Sequence, residues 1–176
     1  SMLTVANIGT ITDPGFANPL NPAPEREETF TYTINWGDGT AASTGTATID
    51  QVGSAGQPTA ASFDGSHIYA DNGTYSVTVT VTDDDGGTAS QSLQVIVSNV
   101  APTLGVIGNQ SAIAGVSLSL TNIGAFTDPG FDNALNPGEE KAETFTYTIN
   151  WGDGSLLSTG PATIDRSLWF KPDYIG

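Results

Sequence analysis

Residues 67–86 read HIYADNGTYSVTVTVTDDDG, and this stretch decides the fold class. Between Thr74 and Thr82, apolar Tyr and Val residues alternate with Thr and Ser, which is the period of a β-strand with one buried and one solvated face. Turn-forming residues bound this strand at Asp71-Asn72-Gly73 and at Asp83–Gly87. Because strands buried on one face belong mainly to antiparallel sheets, the sequence predicts an all-β, antiparallel sandwich.

The same alternation occurs in residues 30–36, FTYTINW, where every second side chain is apolar or aromatic. We expect Trp36 to fill the core between two sheets. Tyr75 follows a turn and is expected to form a tyrosine corner. Further strands are predicted near residues 3–6, 44–50, 66–70, 90–98, 103–107, 116–121, 145–151 and 159–164. The predicted core includes Trp36, Tyr75, Val77, Val79 and Val81.

A tandem repeat organises the chain. Residues 8–50 and 123–165 align without gaps at an offset of 115 residues, and both contain the sequence ETFTYTINWGDG. Residues 1–98 are therefore expected to form one nearly complete module that lacks its first strand. Residues 99–165 are expected to form a partial second copy, followed by a divergent tail over residues 166–176.

Charge and composition exclude several classes of function. The chain has 19 acidic and 4 basic residues, which gives a formal net charge of −15. A surface of this charge repels phosphate backbones and anionic lipids, so we expect neither nucleic acid binding nor membrane insertion. No apolar run approaches the roughly 20 residues that cross a bilayer. The absence of cysteine excludes disulfides and thiolate metal sites.

Groups suited to catalysis are scarce. His67 is the only histidine, and without a partner nucleophile it is expected to pack beside Tyr69 as a structural hydrogen-bonding group. A glycosidase would need two carboxyl groups, one of them with a raised pKa in an apolar cleft. The available glutamates lie in polar, proline-flanked loops, which indicates that their charges are solvated. The sequence therefore predicts that the chain is not an enzyme. These glutamates are Glu25, Glu27, Glu28, Glu140 and Glu143.

Two motifs resemble those of PKD (polycystic kidney disease) domains. The order His67-Ile68-Tyr69, Gly73, Tyr75 and the following Val alternation is similar to the C-terminal half of that family. Residues 35–40, NWGDGT, resemble its W-D-F-G-D-G-T strand and turn, although Trp36 stands where the family usually has Phe. The resemblance implies an immunoglobulin-like β-sandwich of the kind found in bacterial secreted and surface proteins. It therefore implies an extracellular location.

Two functions of different classes agree with this resemblance. The first is a non-catalytic structural or adhesive repeat, which serves as a stalk or spacer in a large secreted or cell-surface protein. The second is an accessory module of a secreted hydrolase that binds a polysaccharide or a protein. The second function requires an exposed aromatic row, for which Phe16, Trp36 and Tyr69 are the candidates. The tandem period and the absence of a catalytic set favour the first.

The resemblance also implies a cofactor, because some PKD-like domains bind calcium. We expect the loop of Asp13 and the turn of Asp38 to lie at neighbouring strand ends and to supply oxygen ligands. The alternative is that these aspartates only form turns, in which their side chains accept backbone hydrogen bonds. The candidate calcium ligands are Asp13, Asp38, their counterparts Asp128 and Asp153, and Asp83 and Asp85 in an acidic turn.

The loop over residues 14–28 is long for a small sandwich. Phe16 and Leu20 either pack it onto the rim of the sheets, which is the expectation we favour, or present an apolar contact to a partner.

The partial second copy is expected to present an unpaired strand edge and an apolar face. That face comprises Phe145, Tyr147, Ile149 and Trp151. Either the tail covers it or two chains form a homodimer by strand exchange, which we consider the better expectation.

Overall fold

The computed structural model describes residues 2–22, 26–136 and 141–165. The chain divides into two compact units, Ser1–Lys141 and Ala142–Gly176, each of which is described by itself. No helix among the described residues has the length and apolar character needed to cross a membrane. The tail over residues 166–176 lies outside the described residues, as do Glu25 and Glu140.

Two antiparallel sheets form the larger part of the first unit. One sheet has the strand order β1-β5-β4 and the other has the order β3-β2-β6-β7. Their strands are β1 (Met2–Asp13), β2 (Phe30–Asn35), β3 (Ser43–Thr46), β4 (Thr48–Gln51), β5 (Thr59–Ile68), β6 (Gly73–Asp83) and β7 (Thr88–Val97). The all-β, immunoglobulin-like sandwich predicted from the sequence is confirmed. Within the same unit, β8 (Thr103–Val106) pairs with β9 (Gly124–Thr127).

The core lies where the period-two alternation predicts it. Trp36 is 1% exposed and Val77 is fully buried, whereas Val81 is half-buried near the end of β6. The Tyr75 hydroxyl donates to the Asp71 carbonyl oxygen at 3.0 Å, which closes the predicted tyrosine corner. The buried apolar residues are Phe30, Ile34, Trp36, Ala47, Ala61, Phe63, Tyr69, Tyr75, Val77 and Val79.

Several strand predictions need correction. Strand β5 begins at Thr59, well before the predicted start at residue 66. The prediction missed this part because small residues such as Ala61 occupy its buried positions and give a weak strand signal. The residue predicted as the middle of one strand, Ala47, separates β3 from β4, which belong to different sheets. Residues 116–121 form no strand, and β9 follows them instead.

The second unit repeats the beginning of the sandwich. Strands β10 (Thr146–Ile149) and β11 (Ser158–Pro161) pair in the register of β2 and β3. The indole Nε1 of Trp151 donates to Ser158 Oγ at 2.9 Å, as Trp36 donates to Ser43 Oγ at 2.9 Å. Trp151 is nevertheless 44% exposed and Tyr147 is 45% exposed. The predicted apolar face is thus partly exposed in the structure.

Candidate functional site

The turn after β2 holds a buried carboxylate. Asp38 is 1% exposed, and its Oδ1 accepts from the Thr40 backbone N at 3.1 Å and from the Thr40 hydroxyl at 2.6 Å. Its Oδ2 accepts from His67 Nε2 at 2.7 Å. Both carboxylate oxygens are therefore engaged inside the protein, which makes Asp38 a structural acceptor.

A stack of aromatic rings holds His67 in place. The imidazole stacks on Trp36 with ring centroids 4.9 Å apart and meets Tyr69 edge-on at 4.8 Å. The Tyr69 hydroxyl donates to the Trp36 carbonyl oxygen at 3.1 Å, and its ring stacks on Tyr75. The prediction that His67 packs beside Tyr69 as a structural hydrogen-bonding group is confirmed.

The charges of this cluster follow from burial and hydrogen bonding. Burial acts to raise the pKa of Asp38, but the hydrogen bonds from Thr40 and His67 outweigh it and lower that pKa. Burial, followed by the nearby Asp38 charge, raises the pKa of Tyr69 to about 12. Asp38 is therefore ionised and Tyr69 is neutral at physiological pH, and the cluster is a stable polar element within the sandwich.

A second group of carboxyls lies at the other end of β2. We call it the acidic end and define it as Asp13, Glu28 and the turn Asp83-Asp84-Asp85. The Thr29 backbone N donates to Asp84 Oδ1 at 3.4 Å, which places Glu28 beside that turn. Glu28 Oε2 and Asp13 Oδ1 lie 2.6 and 2.8 Å from the point that a Cβ on Gly15 would occupy.

The carboxyls of the acidic end repel one another. The pKa of Glu28 rises to about 7, first because of burial and then because of the charges of Asp84, Asp13, Asp83 and Asp85. The polar loop predicted solvated charge for Glu28, whereas the structure places it, partly buried, beside these aspartates. Only its position just before β2, the strand that pairs with the β6 end at Asp83, could have indicated it.

The structure separates residues that we expected to share one calcium site. Asp13 pairs with Thr59 at the start of β5, whereas Asp38 bonds His67 near the end of β5. At about 3.3 Å per residue, β5 separates the two aspartates by roughly 25 Å. The expectation that Asp13 and Asp38 lie at neighbouring strand ends is wrong, since β1 and β5 run the length of the sandwich. Instead, Asp13 shares the acidic end with Asp83 and Asp85.

The remaining predicted ligands occupy turns. Asp128 Oδ1 accepts from the Gly130 backbone N at 2.8 Å, and Asp153 Oδ1 accepts from the Ser155 backbone N at 2.9 Å. Hydrogen bonds from Ser155 lower the pKa of Asp153. Over residues 2–22, 26–136 and 141–165, the structure has no group of three or more carboxylate, imidazole or thiol side chains placed to hold a metal ion.

The aromatic row that a sugar-binding surface would need is not formed. Trp36 is 1% exposed and Tyr69 is 7% exposed, so neither ring can stack on a ligand. Of the three candidate rings, Phe16 alone is exposed, at 40%. Leu20 is 91% exposed, so the prediction that it packs onto the rim is wrong. Asn18 shapes the loop around Leu20 by side-chain hydrogen bonds, which leave the leucine outside.

Comparison with known proteins gives one match. The family model described as PKD domain matches residues 21–97, which include strands β2–β7. No match was found among curated proteins or among solved structures.

Proposed function

Residues 21–97 belong to the PKD domain family, and from this premise we propose that the chain is part of an extracellular stalk or spacer built from repeated modules. PKD domains are generally non-catalytic, immunoglobulin-like structural modules that occur in extracellular proteins. The first unit has that architecture, with a core that consists of aromatic and Val side chains.

One observation carries the proposal, namely the repetition of residues 8–50 as residues 123–165 without a gap. An ungapped repeat places equivalent surfaces at a regular interval along a chain, which suits a spacer of defined length. The net charge of −15 makes neighbouring modules of the array repel one another, which favours a solvated, extended chain.

The buried state of Trp36 and Tyr69 supports a spacer over a sugar-binding accessory module. Such a module binds sugars by stacking them on exposed aromatic faces. The Asp38–His67 pair also supports a spacer. Thr40 donates to Asp38 and the imidazole of His67 stacks on Trp36, so both side chains are already engaged within the protein. Asp38 and His67 are therefore groups that stabilise the fold of the first unit.

Location on intact cells tests this proposal. Antibodies raised against the whole chain should label intact cells that produce the protein or should detect it in the medium. Where the label is on the cells, a brief protease treatment should remove it. An intracellular protein, labelled only after lysis, serves as the control. Labelling that requires lysis would overturn the extracellular spacer.

Calcium is the cofactor that we propose for this module, and the acidic end is its site. The side chains are chemically suited to a hard cation, since Asp13, Glu28, Asp83 and Asp85 all carry carboxylates. No three of these described residues are placed to hold an ion as they stand, and Asp13 Oδ1 and Asp83 Oδ1 accept from the Gly15 and Gly87 backbone N, so calcium would have to draw the side chains together. A bound divalent ion would supply positive charge where four aspartates now oppose the ionisation of Glu28. We leave Asp38 out of this site because His67 and Thr40 engage its carboxylate.

Thermal denaturation of the whole chain tests the calcium proposal. Calcium should raise the Tm relative to a chelator, because a ligand that binds only the folded state stabilises it. Magnesium, which demands a stricter octahedral geometry, should raise it less. Glu28→Gln should reduce the calcium effect, whereas Glu27→Gln, the same change on the exposed neighbour, should not. Identical melting curves in calcium and in chelator would contradict the proposal.

A further inference from the structure

A loop of the second copy packs against the turn of the first. We call residues 128–136, DPGFDNALN, the docking loop; its counterpart in the first copy, residues 13–21, reads DPGFANPLN. The backbone N of Phe131 in the docking loop donates to the Ala70 carbonyl oxygen at 3.1 Å. The Asn133 side-chain amide lies 3.5 Å from the Asp38 carbonyl oxygen, to which it donates. Both contacts join groups that are far apart in sequence and belong to different copies.

Asparagine side chains shape the loop before it docks. Asn133 Nδ2 donates to Asn136 Oδ1 at 3.0 Å, and its Oδ1 accepts from the Leu135 backbone N at 3.0 Å. The first copy has the same two bonds, from Asn18 to Asn21 at 3.3 Å and from Leu20 to Asn18 at 3.0 Å. Since the free and the docked loop share these bonds, docking requires little additional ordering.

Burial marks the docked copy. Asn136 is 4% exposed, whereas its counterpart Asn21 is only half-buried. Leu135 is 61% exposed, whereas its counterpart Leu20 is 91% exposed. The turn of the first copy is matched to this contact, because a Cβ on Gly39 would collide with the Leu135 carbonyl oxygen.

The equivalent turn of the second copy has the same backbone but an open surface. Gly154 has a φ of +81°, close to the +79° of Gly39, and a Cβ placed on it would meet no atom within 4 Å. The two turns therefore have the same backbone conformation at the glycine and differ in the contact with the docking loop, which only the turn of the first copy makes.

We propose that the docking loop and the Gly37-Asp38-Gly39 turn form the joint between successive repeats. By the same chemistry, the loop over residues 13–21 is a docking surface whose partner is the Gly-Asp-Gly turn of another copy of this module. This inference deepens the proposed spacer function and rests on it. Because the covalent connection holds loop and turn at a high effective concentration, a contact of a few bonds suffices within the chain.

Hydrogen exchange of single amides in the whole chain tests the joint. The Phe131 amide, which bonds Ala70, should exchange at least about 10-fold more slowly than its counterpart Phe16, as an amide in a stable hydrogen bond does. Gly39→Ala should bring the Phe131 rate to that of Phe16. Gly154→Ala, which introduces the same backbone strain without the collision, should leave the Phe131 rate unchanged.

Two further measurements keep the test decisive. The Val77 amide in β6 reports whether the first module stays folded in each variant. If Gly39→Ala unfolds it, the pair Asn133→Ala and Asn18→Ala makes the same comparison, and only the former should speed Phe131 exchange. Equal rates for Phe131 and Phe16 in the unmodified chain would overturn the joint and leave a spacer with flexible connections. Failure of the surface-labelling experiment would remove the extracellular role and leave the joint intact.

Discussion

Glu28→Gln should stabilise the protein at neutral and alkaline pH. Burial and the charges of Asp84, Asp13, Asp83 and Asp85 raise the pKa of Glu28 from 4.5 to about 7, so the folded state resists its ionisation. Below pH 4.5 the group is protonated in both the folded and the unfolded states, and the charge has no cost. As the pH rises towards 7 the unfolded state ionises first, so stability is lost over this interval and stays lower above it.

The size of the effect follows from the shift and from solvent screening. A pKa unit corresponds to about 1.36 kcal/mol, so a rise from 4.5 to about 7 has an upper limit of about 3.4 kcal/mol. Glu28 is only partly buried, and water and salt screen its neighbours, so we expect about 1 kcal/mol. If the module of residues 1–98 unfolds as one unit, about 1 kcal/mol raises its Tm by roughly 4–8 °C.

Thermal denaturation in the presence of a chelator at pH 4, 6 and 8, followed by near-ultraviolet circular dichroism, measures this prediction without a contribution from calcium. The difference in Tm between Glu28→Gln and the unmodified chain should be near zero at pH 4 and largest at pH 8, and salt should reduce it. Glu27→Gln removes the same charge from an exposed position and should change the Tm little. A gain that is equal at pH 4 and pH 8, or absent at pH 8, would refute the electrostatic reasoning.

Three further predictions concern the core, the buried pair and association. Trp36→Ala should cost about 3–5 kcal/mol in urea denaturation, whereas Trp151→Ala, at a half-exposed position, should cost about 1 kcal/mol or less; similar costs would place Trp36 outside the core. His67→Ala leaves the Asp38 carboxylate without its imidazole donor and should cost about 1–3 kcal/mol near pH 7. Because the pKa of Asp38 is lowered, this difference should shrink as the pH falls below 3.8, and a difference independent of pH would contradict it. Static light scattering over a concentration series should show homodimers formed by strand exchange at the exposed face of Tyr147 and Trp151, and a constant monomer mass would rule them out.

Local patterns were sufficient for the strands that alternate strongly. Residues 74–82 and 30–36 predicted β6 and β2, together with the buried positions of Trp36, Tyr75 and Val77. Alternation is a property of neighbouring residues, so it can be recognised without knowing what the strand packs against. For the same reason the tyrosine corner, which joins residues four positions apart, could be predicted.

Burial against distant residues decided the strands that the sequence missed. The part of β5 that precedes the predicted start at residue 66 contains Ala61 and Gly65, which have low strand propensity. The sandwich requires a small residue at Gly65, since a Cβ there would lie 3.0 Å from the Trp36 ring. A position that must be small because a large ring from the other sheet occupies the space has no local signature.

The fold class, the repeat and the candidate core can be recognised without a structure, because each depends on a period within a short window or on direct self-comparison. Which carboxyls meet depends instead on how the strands and loops are arranged in space. It places Asp38 against His67 and Glu28 beside the Asp83-Asp84-Asp85 turn, at opposite ends of β2. The partners of Asp38 and Glu28 come from other strands and loops, and the order of strands in the two sheets brings them together. The physical reason is that charge interactions act through space, whereas a sequence pattern records neighbours along the chain.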